Sequence, residues 1–316
     1  MSEAGTRGCP DFSMAGMIVT LAAMVEDDPD TLERSAGVAF LGGLFAPGLG
    51  HWYVGHPRPA IGFVIALALG LPLVLLASAV AEVHAGIWVV VAGGWVLRFM
   101  AAVHAGSLAF RGQGRARRGQ TLKGYVLFFI VTSSLAWLSG SVSRNFILEP
   151  LETPSDSMLP TMQRGDNFMV AKLAARDRQP QRGDIVVYLA PNGAQMAHRV
   201  VALPGETLRL GGAEPSIDGT PMTWEPCGDE PEHRCFVERT PEGASYQVQL
   251  VEPVEPLAPQ TIEVPPGHVA ILGDNRNQAH DSSAFGPISI DDVQGRVVGR
   301  FLPFDRVGTL IPAGAR

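Results

Sequence analysis

The stretch "PSDSMLPTMQRGD", Pro154 to Asp166, places two serines, Ser155 and Ser157, on either side of an aspartate and just before a methionine. If Ser157 attacks a carbonyl, its hydroxyl is a weak nucleophile and needs a base within hydrogen-bond reach. The attack also needs donors aimed at the oxygen that gains negative charge. The chain has only two lysines, Lys123 and Lys172, so no amine side chain beyond Lys172 can act as that base. On its own the stretch also reads as a solvated turn, because Ser and Asp are turn residues.

These residues need elements to hold them, and the chain supplies two kinds. Of its 316 residues 46% are hydrophobic and only 17% charged, and the mean hydropathy is +0.16. The apolar excess lies in the first half, whereas the acidic residues and most prolines follow Glu149. The net charge of −7 comes largely from that second half and argues against a nucleic-acid partner. Residues 1–35 form a polar N-terminal segment whose apolar patch, "MIVTLAAMV", is too short to span a bilayer. No small-residue cleavage site follows it, and "EDDPD" does, which is not the pattern of a cleaved signal peptide.

Residues 36–146 read as a membrane region. "GVAFLGGLFAPGLGHWYVG" is apolar but broken by Gly and Pro, so it is either a marginal span or a re-entrant helical hairpin. Residues 60–80, 87–103 and 124–142 are three candidate spanning helices. Buried helices of a soluble protein are the alternative, but three such runs would need a very large core. The loop from His104 to Gly124 carries Arg111, Arg115, Arg117, Arg118 and Lys123 and no acid, which makes it cytoplasmic. The last span then runs outward, Glu82 faces out, and "GHPRP" with His56 and Arg58 faces in. The lipid bilayer is thus one partner, and the histidines of this half read as scattered interfacial residues.

Residues 147–316 read as a mainly β, mostly antiparallel domain: "FMVAK", "GDIVVYLA", "AHRVVALP", "HVAILG" and "GRVVGRFLPF" are β-branched runs between turn signals. Gly165–Asp166 and Gly183–Asp184 belong to turns, and 211–262, rich in Pro, Glu and Gly, reads as an irregular insertion. Cys227 and Cys235 could form a disulfide in an oxidising compartment. A zinc site adding His233 would lack a fourth ligand, so no metal and no cofactor is expected.

Four blocks in order, "PSDSMLPTMQRGDNFMVAK", "RGDIVVY", "HRVVALPGE" and "GDNRNQAHDSSAFGPI", resemble the type I signal peptidase family of membrane-bound serine endopeptidases, the S26 type. The likeness spans roughly residues 147 to 305. It implies cleavage of signal peptides from exported preproteins after small-x-small sites, at the outer face of a bacterial inner membrane. It implies Ser157 as nucleophile and a hydroxyl from Ser155 at the oxyanion. Many relatives carry Gly where this chain has Asp156, which brings a carboxylate near that oxyanion. Lys172 matches a lysine that relatives carry without using it as the base.

The base position itself departs from the bacterial pattern. Where bacterial relatives have lysine this chain has His198, as the archaeal and endoplasmic-reticulum branch does. A lysine must fall by roughly 3 pKa units from about 10.4 to work near neutrality, whereas imidazole starts near 6.5. A histidine base needs a third group to hold its tautomer, and the alignment supplies Asp281. The serine and arginine that relatives place beside it become Ala279 and Ser283, which frees that carboxylate. The resemblance thus predicts a Ser157–His198–Asp281 triad, an Arg199–Asp274 ion pair, and a turn shaped by Gly273 and Asn275. His280 is a second candidate base, but in an extended segment it points away from the side Asp281 faces. Two other readings stay open at this stage: an inactive membrane scaffold, and a processing protease dedicated to one partner.

Overall fold

The computed structural model describes residues 34–80, 86–114, 120–172, 179–211, 214–230, 233–252 and 259–310. The polar segment up to residue 33, Glu82, and Arg115, Arg117 and Arg118 of the basic loop lie outside the described residues. The chain divides into two compact units, Met1–Gly70 with Val91–Ser139, and Leu71–Val90 with Gly140–Arg316.

In the first unit, "GVAFLGGLFAPGLGHWYVG" is a pair of short helices in contact, α1 (Ala36–Phe45) and α2 (Leu49–Val54). Ser35 caps α1, its Oγ accepting from the Val38 N–H. The link needs Gly48: φ is +91°, and a Cβ there would sit 2.6 Å from the Ala60 carbonyl oxygen. Three long helices follow along the chain, each crossing a boundary between the units: α3 (Pro57–Val80), α4 (Gly86–Phe110) and α5 (Leu122–Val142). Within them Pro57–Ala77, Trp88–Phe110 and, running on past α5, Leu122–Ile147 are long and apolar enough to cross a membrane. They leave Leu69, Trp95, Phe99, Leu127 and Trp137 exposed, which suits a lipid solvent. Pro72 interrupts α3 and has no N–H to give the carbonyl of Ala68. The Ser139 hydroxyl of α5 donates to that carbonyl instead, at 2.7 Å. One expectation is corrected: His51 is no interfacial residue. It is fully buried, lies against Phe63, and pairs with His104 at 2.7 Å.

In the second unit the chain builds β1 (Leu148–Glu152), β2 (Asn167–Ala171), β3 (Ile185–Leu189), β4 (Gln195–Ala202) and β5 (Thr207–Leu210). It continues with β6 (Ser216–Ile217), β7 (Thr220–Pro221), β8 (Thr223–Glu230), β9 (His233–Arg239) and β10 (Ser245–Val251). Then come β11 (Gln260–Glu263), β12 (His268–Leu272), the short helix α6 (Ser282–Phe285), β13 (Ile288–Ser289), β14 (Val293–Leu302) and β15 (Gly308–Thr309). The main sheet runs β1-β2-β14-β3-β4-β12-β13, with β15 on β14. Its pairs are antiparallel, as alternating runs joined by tight turns predict. Two smaller sheets, β11-β5-β6-β7 and β10-β9-β8, complete the unit. The described residues of the segment 211–262 are therefore largely paired strand and not irregular. Its Pro and Gly residues mark turns and a bulge, as at Pro226/Gly228.

The main sheet is covered on both faces. Phe168, Val170, Ile185, Val187 and Val297 meet Met158 and Met162 in one cluster. Val186, Tyr188, Val200, Ile271 and Ile288 form another. Turns before β2 and β3 are built alike from "QRGD": Gly165 and Gly183 take φ of +87° and +90°. Asp166 accepts from the Gln163 N–H and Asp184 from the Gln181 N–H, both at 2.9 Å. Arg300 and Arg306 pair with the first aspartate and Arg296 with the second, so these motifs anchor strands.

Candidate active site

The side chain of His198 is positioned by strand register. Pairing of β3 with β4 sets Val186 opposite His198 and Tyr188 opposite Met196, so all four side chains share one face. Tyr188 is then the diagonal neighbour of His198, within reach of a long side chain. Its hydroxyl lies 2.8 Å from His198 Nδ1. The other ring nitrogen, Nε2, lies 3.3 Å from Ser157 Oγ. The imidazole is 2% exposed, so its nitrogens have these two partners in place of water.

Ser157 sits on the loop between β1 and β2. That loop is closed at its base by Thr153 N–H to Asp166 O at 2.8 Å and Gly165 N–H to Thr153 O at 2.9 Å. Asn275 holds its tip, donating its N–H to the Ser157 carbonyl and its Nδ2 to the Asp156 carbonyl, both at 3.0 Å. Ser155 Oγ lies 3.2 Å from Ser157 Oγ. The Asp156 carboxylate pairs with Arg164 at 3.1 Å. Gly273 has a steric reason: a Cβ would come within 2.3 Å of Ala279 Cβ and 2.6 Å of the Ser157 oxygen. Behind the site, Arg199 forms a two-pronged pair with Asp274, Nε–Oδ1 2.8 Å and Nη2–Oδ2 2.6 Å. A Thr161 hydroxyl joins it at 2.5 Å from Asp274 Oδ2.

The predicted contact between Asp281 and His198 is corrected. The carboxylate of Asp281 caps α6 and ties down the preceding turn. Its Oδ1 accepts from Ser283 N–H and Oγ–H at 2.9 and 2.8 Å, and its Oδ2 from Gly273 N–H at 2.8 Å. The group that meets Nδ1 is a phenol, not a carboxylate. Sequence reasoning missed Tyr188 because a tyrosine ending a β-branched run reads as core. The available signal was its place in "RGDIVVY", a polar hydroxyl where the run is otherwise aliphatic. The ring of His280 lies edge-on to Phe285, centroids 5.5 Å apart. Lys172 is held by Glu149 at 2.8 Å. Cys227 and Cys235 form a disulfide between β8 and β9 with their Cα atoms 5.2 Å apart, so these thiols are not metal ligands.

Burial holds the His198 imidazole below its ordinary pKa, against the opposing pull of Asp281 and Asp274; His280 pushes it further down. Burial raises the Tyr188 phenol, and the Asp281 charge adds to that, so it keeps its proton. The pair opens onto a cleft of about 820 Å³, whose lining includes Leu151 and Thr153 as well as Gln195 and Ala197. An imidazole held below its ordinary pKa beside a serine hydroxyl is an arrangement able to form and break an acyl bond when Nε2 is the unprotonated nitrogen.

The family described as "Signal peptidase, peptidase S26" matches residues 122–302. A probable signal peptidase I-1 of Synechocystis is 32% identical over 53% of this chain and 78% of its own length. A signal peptidase I of Leptolyngbya laminosa is 30% identical over 54% of this chain and 76% of its own. Among solved structures, a signal peptidase I from Enterococcus faecalis shares 28% identity over 38% of this chain and 97% of that one, with a TM-score of 0.26. With the family matched over more than half its length, the chain belongs to the S26 signal peptidases, serine endopeptidases that cleave signal peptides.

Proposed function

We propose that this chain is a membrane-anchored signal peptidase I in which Ser157 is the nucleophile and His198 the general base in place of lysine. The observation that carries this reading is the 3.3 Å approach of His198 Nε2 to Ser157 Oγ at the floor of the cleft. Ser157 adds to the scissile carbonyl as its proton passes to Nε2. The imidazolium returns that proton to the leaving amine, and a water deprotonated by the same nitrogen then hydrolyses the acyl-enzyme. The Ser155 hydroxyl and the Ser157 N–H are the donors for the oxyanion. Pairing of Asp156 with Arg164 supports this role by offsetting the unhelpful charge.

The substrate is an exported preprotein bound in extended form. β1 ends the main sheet, and the first half of β4 pairs with β3 while β12 takes only the second half. Both lines of backbone border the cleft and suit strand addition. Apolar walls from Phe168, Val187 and Ala197 accept small side chains before the cut. Three helices able to cross a membrane support a multi-pass anchor, with the peptidase unit on the outer face.

The test uses the purified full chain in lipid vesicles and a preprotein with a small-x-small site. Cleavage at that site, read by mass, is expected from the parent, with a loss of roughly 10⁴-fold or more in both Ser157→Ala and His198→Ala. Parent-like cleavage by either variant would remove the assignment.

A further inference from the structure

Resting on the reading of Ser157 and His198 as nucleophile and base, we infer that Tyr188 is a positioning residue that holds the imidazole in its proton-accepting tautomer, with the Met196 sulfur taking the phenolic hydrogen. In Ser-His-Asp enzymes a carboxylate has that place. A carboxylate can only accept, so it admits one tautomer. A phenol both donates and accepts, so something else must decide which way it acts.

A neutral imidazole carries one proton. With it on Nε2, the ring donates to Ser157, Tyr188 donates to Nδ1, and no base faces the serine. With it on Nδ1, the ring donates to the Tyr188 oxygen and Nε2 is free to accept from Ser157. That second arrangement needs another acceptor for the phenolic hydrogen, and Met196 Sδ lies 3.7 Å from the Tyr188 oxygen. Met196 is opposite Tyr188 in the β3–β4 register, so one pairing sets base, phenol and sulfur together. Thioether sulfur is a weak acceptor, so it frees the phenol oxygen without competing for the ring proton.

When Ser157 gives up its proton, the imidazolium donates through both nitrogens, and the Tyr188 oxygen accepts from Nδ1 throughout. Tyr188 keeps its own proton at every step. The other groups with charge near the ring are Asp281, Asp274 and His280. Asp281 is held by Gly273 and Ser283, and Asp274 by Arg199 and Thr161. They act on the ring through their field, whereas the phenol acts through contact.

The experiment compares the full-length parent with Tyr188→Phe, Met196→Leu, Asp281→Asn and His198→Ala across pH in vesicles. Active sites are titrated with a serine-acylating inhibitor, so that loss of folded protein is separated from loss of rate. Tyr188→Phe removes one oxygen and is expected to lower kcat roughly 10- to 100-fold with KM nearly unchanged. Its acid limb moves to lower pH, because the imidazolium loses an acceptor. Met196→Leu keeps the volume and is expected to lower kcat roughly threefold; it carries the test if Tyr188→Phe does not fold. Parent-like kcat per titrated site and an unmoved acid limb in Tyr188→Phe, or, if it does not fold, parent-like kcat in Met196→Leu, would overturn the inference. So would a loss larger in Asp281→Asn than in Tyr188→Phe. Parent-like cleavage by His198→Ala would instead remove the dyad on which the inference rests.

Discussion

His198 and Arg199 are consecutive on β4, so they enter the interior through opposite faces of the sheet and meet opposite surroundings. Arg199 is given a carboxylate, Asp274, at two contacts, the Gly183 carbonyl at 2.7 Å, and the face of the Tyr246 ring at 4.1 Å. Beyond that ring, Glu238 accepts from Tyr246 and Arg276, both at 2.6 Å, and from Trp224 at 2.7 Å. His198 is given a phenol and a hydroxyl, and among the described residues no carboxylate hydrogen-bonds to it. One side of the strand keeps its charges in fixed pairs. The other holds an imidazole below its ordinary pKa by burial, and on the proposed reading leaves it one lone pair for the substrate step. A fixed ion pair and the proposed proton acceptor are thus one residue apart, and Asp274, Asn275 and Gly273 link the first to the Ser157 loop.

Breaking the charged side should cost the most stability. Arg199→Ala leaves Asp274 buried without its partner and is expected to cost about 3–5 kcal/mol, read by denaturant unfolding of the full chain. A loss under about 1 kcal/mol would mean the pair is no anchor. Gly273→Ala comes next: the new methyl pushes on Ala279 and on the Ser157 backbone. A cost of about 1–3 kcal/mol is expected, with a kcat loss that exceeds any change in KM. Equal stability and kcat in that variant would show that the loop shifts freely.

Asp281→Asn sharpens the contrast between carboxylate and phenol. The variant replaces an acceptor of the Gly273 N–H, at about 1–3 kcal/mol, and is expected to spare most of kcat. A loss near 10⁴-fold would restore the carboxylate as the ring's holder. The smallest effect is in pH-dependent stability. Because folding lowers the His198 pKa, the unfolded chain binds the extra proton, so stability is present above about 6.5 and declines as pH falls below it. His198→Gln should lessen that decline in thermal midpoint; an identical decline would assign it to other groups.

The approach of Ser157 to His198 and the Arg199–Asp274 pair match what the family resemblance of their blocks implied; Ser157 and Asp274 lie on loops, so strand alternation alone did not place them. The contact of Asp281 was not legible in the sequence. The resemblance to the family block put it near the ring, but Ser283, two residues on, and the Gly273 N–H claim its oxygens. Tyr188 was hidden for the opposite reason, since nothing in a strand run says which hydroxyl has a buried partner across the ladder. The segment 211–262 misled through composition: its Pro and Gly punctuate hairpins that join β8 to β9 and β9 to β10, whereas its last strand, β11, takes the more distant β5 as partner. His51 likewise looked like a loop residue until α1 and α2 turned back on each other.

The central claim is that a buried neutral imidazole, not an amine, takes the serine proton. The pH dependence of kcat/KM of the full-length protein in vesicles tests it most directly. One acid limb with an apparent pKa below about 6.5 and a plateau through neutral pH is expected, and the limb should vanish with activity in His198→Ala. A rise continuing above pH 8, or a limb unchanged in that variant, would contradict it.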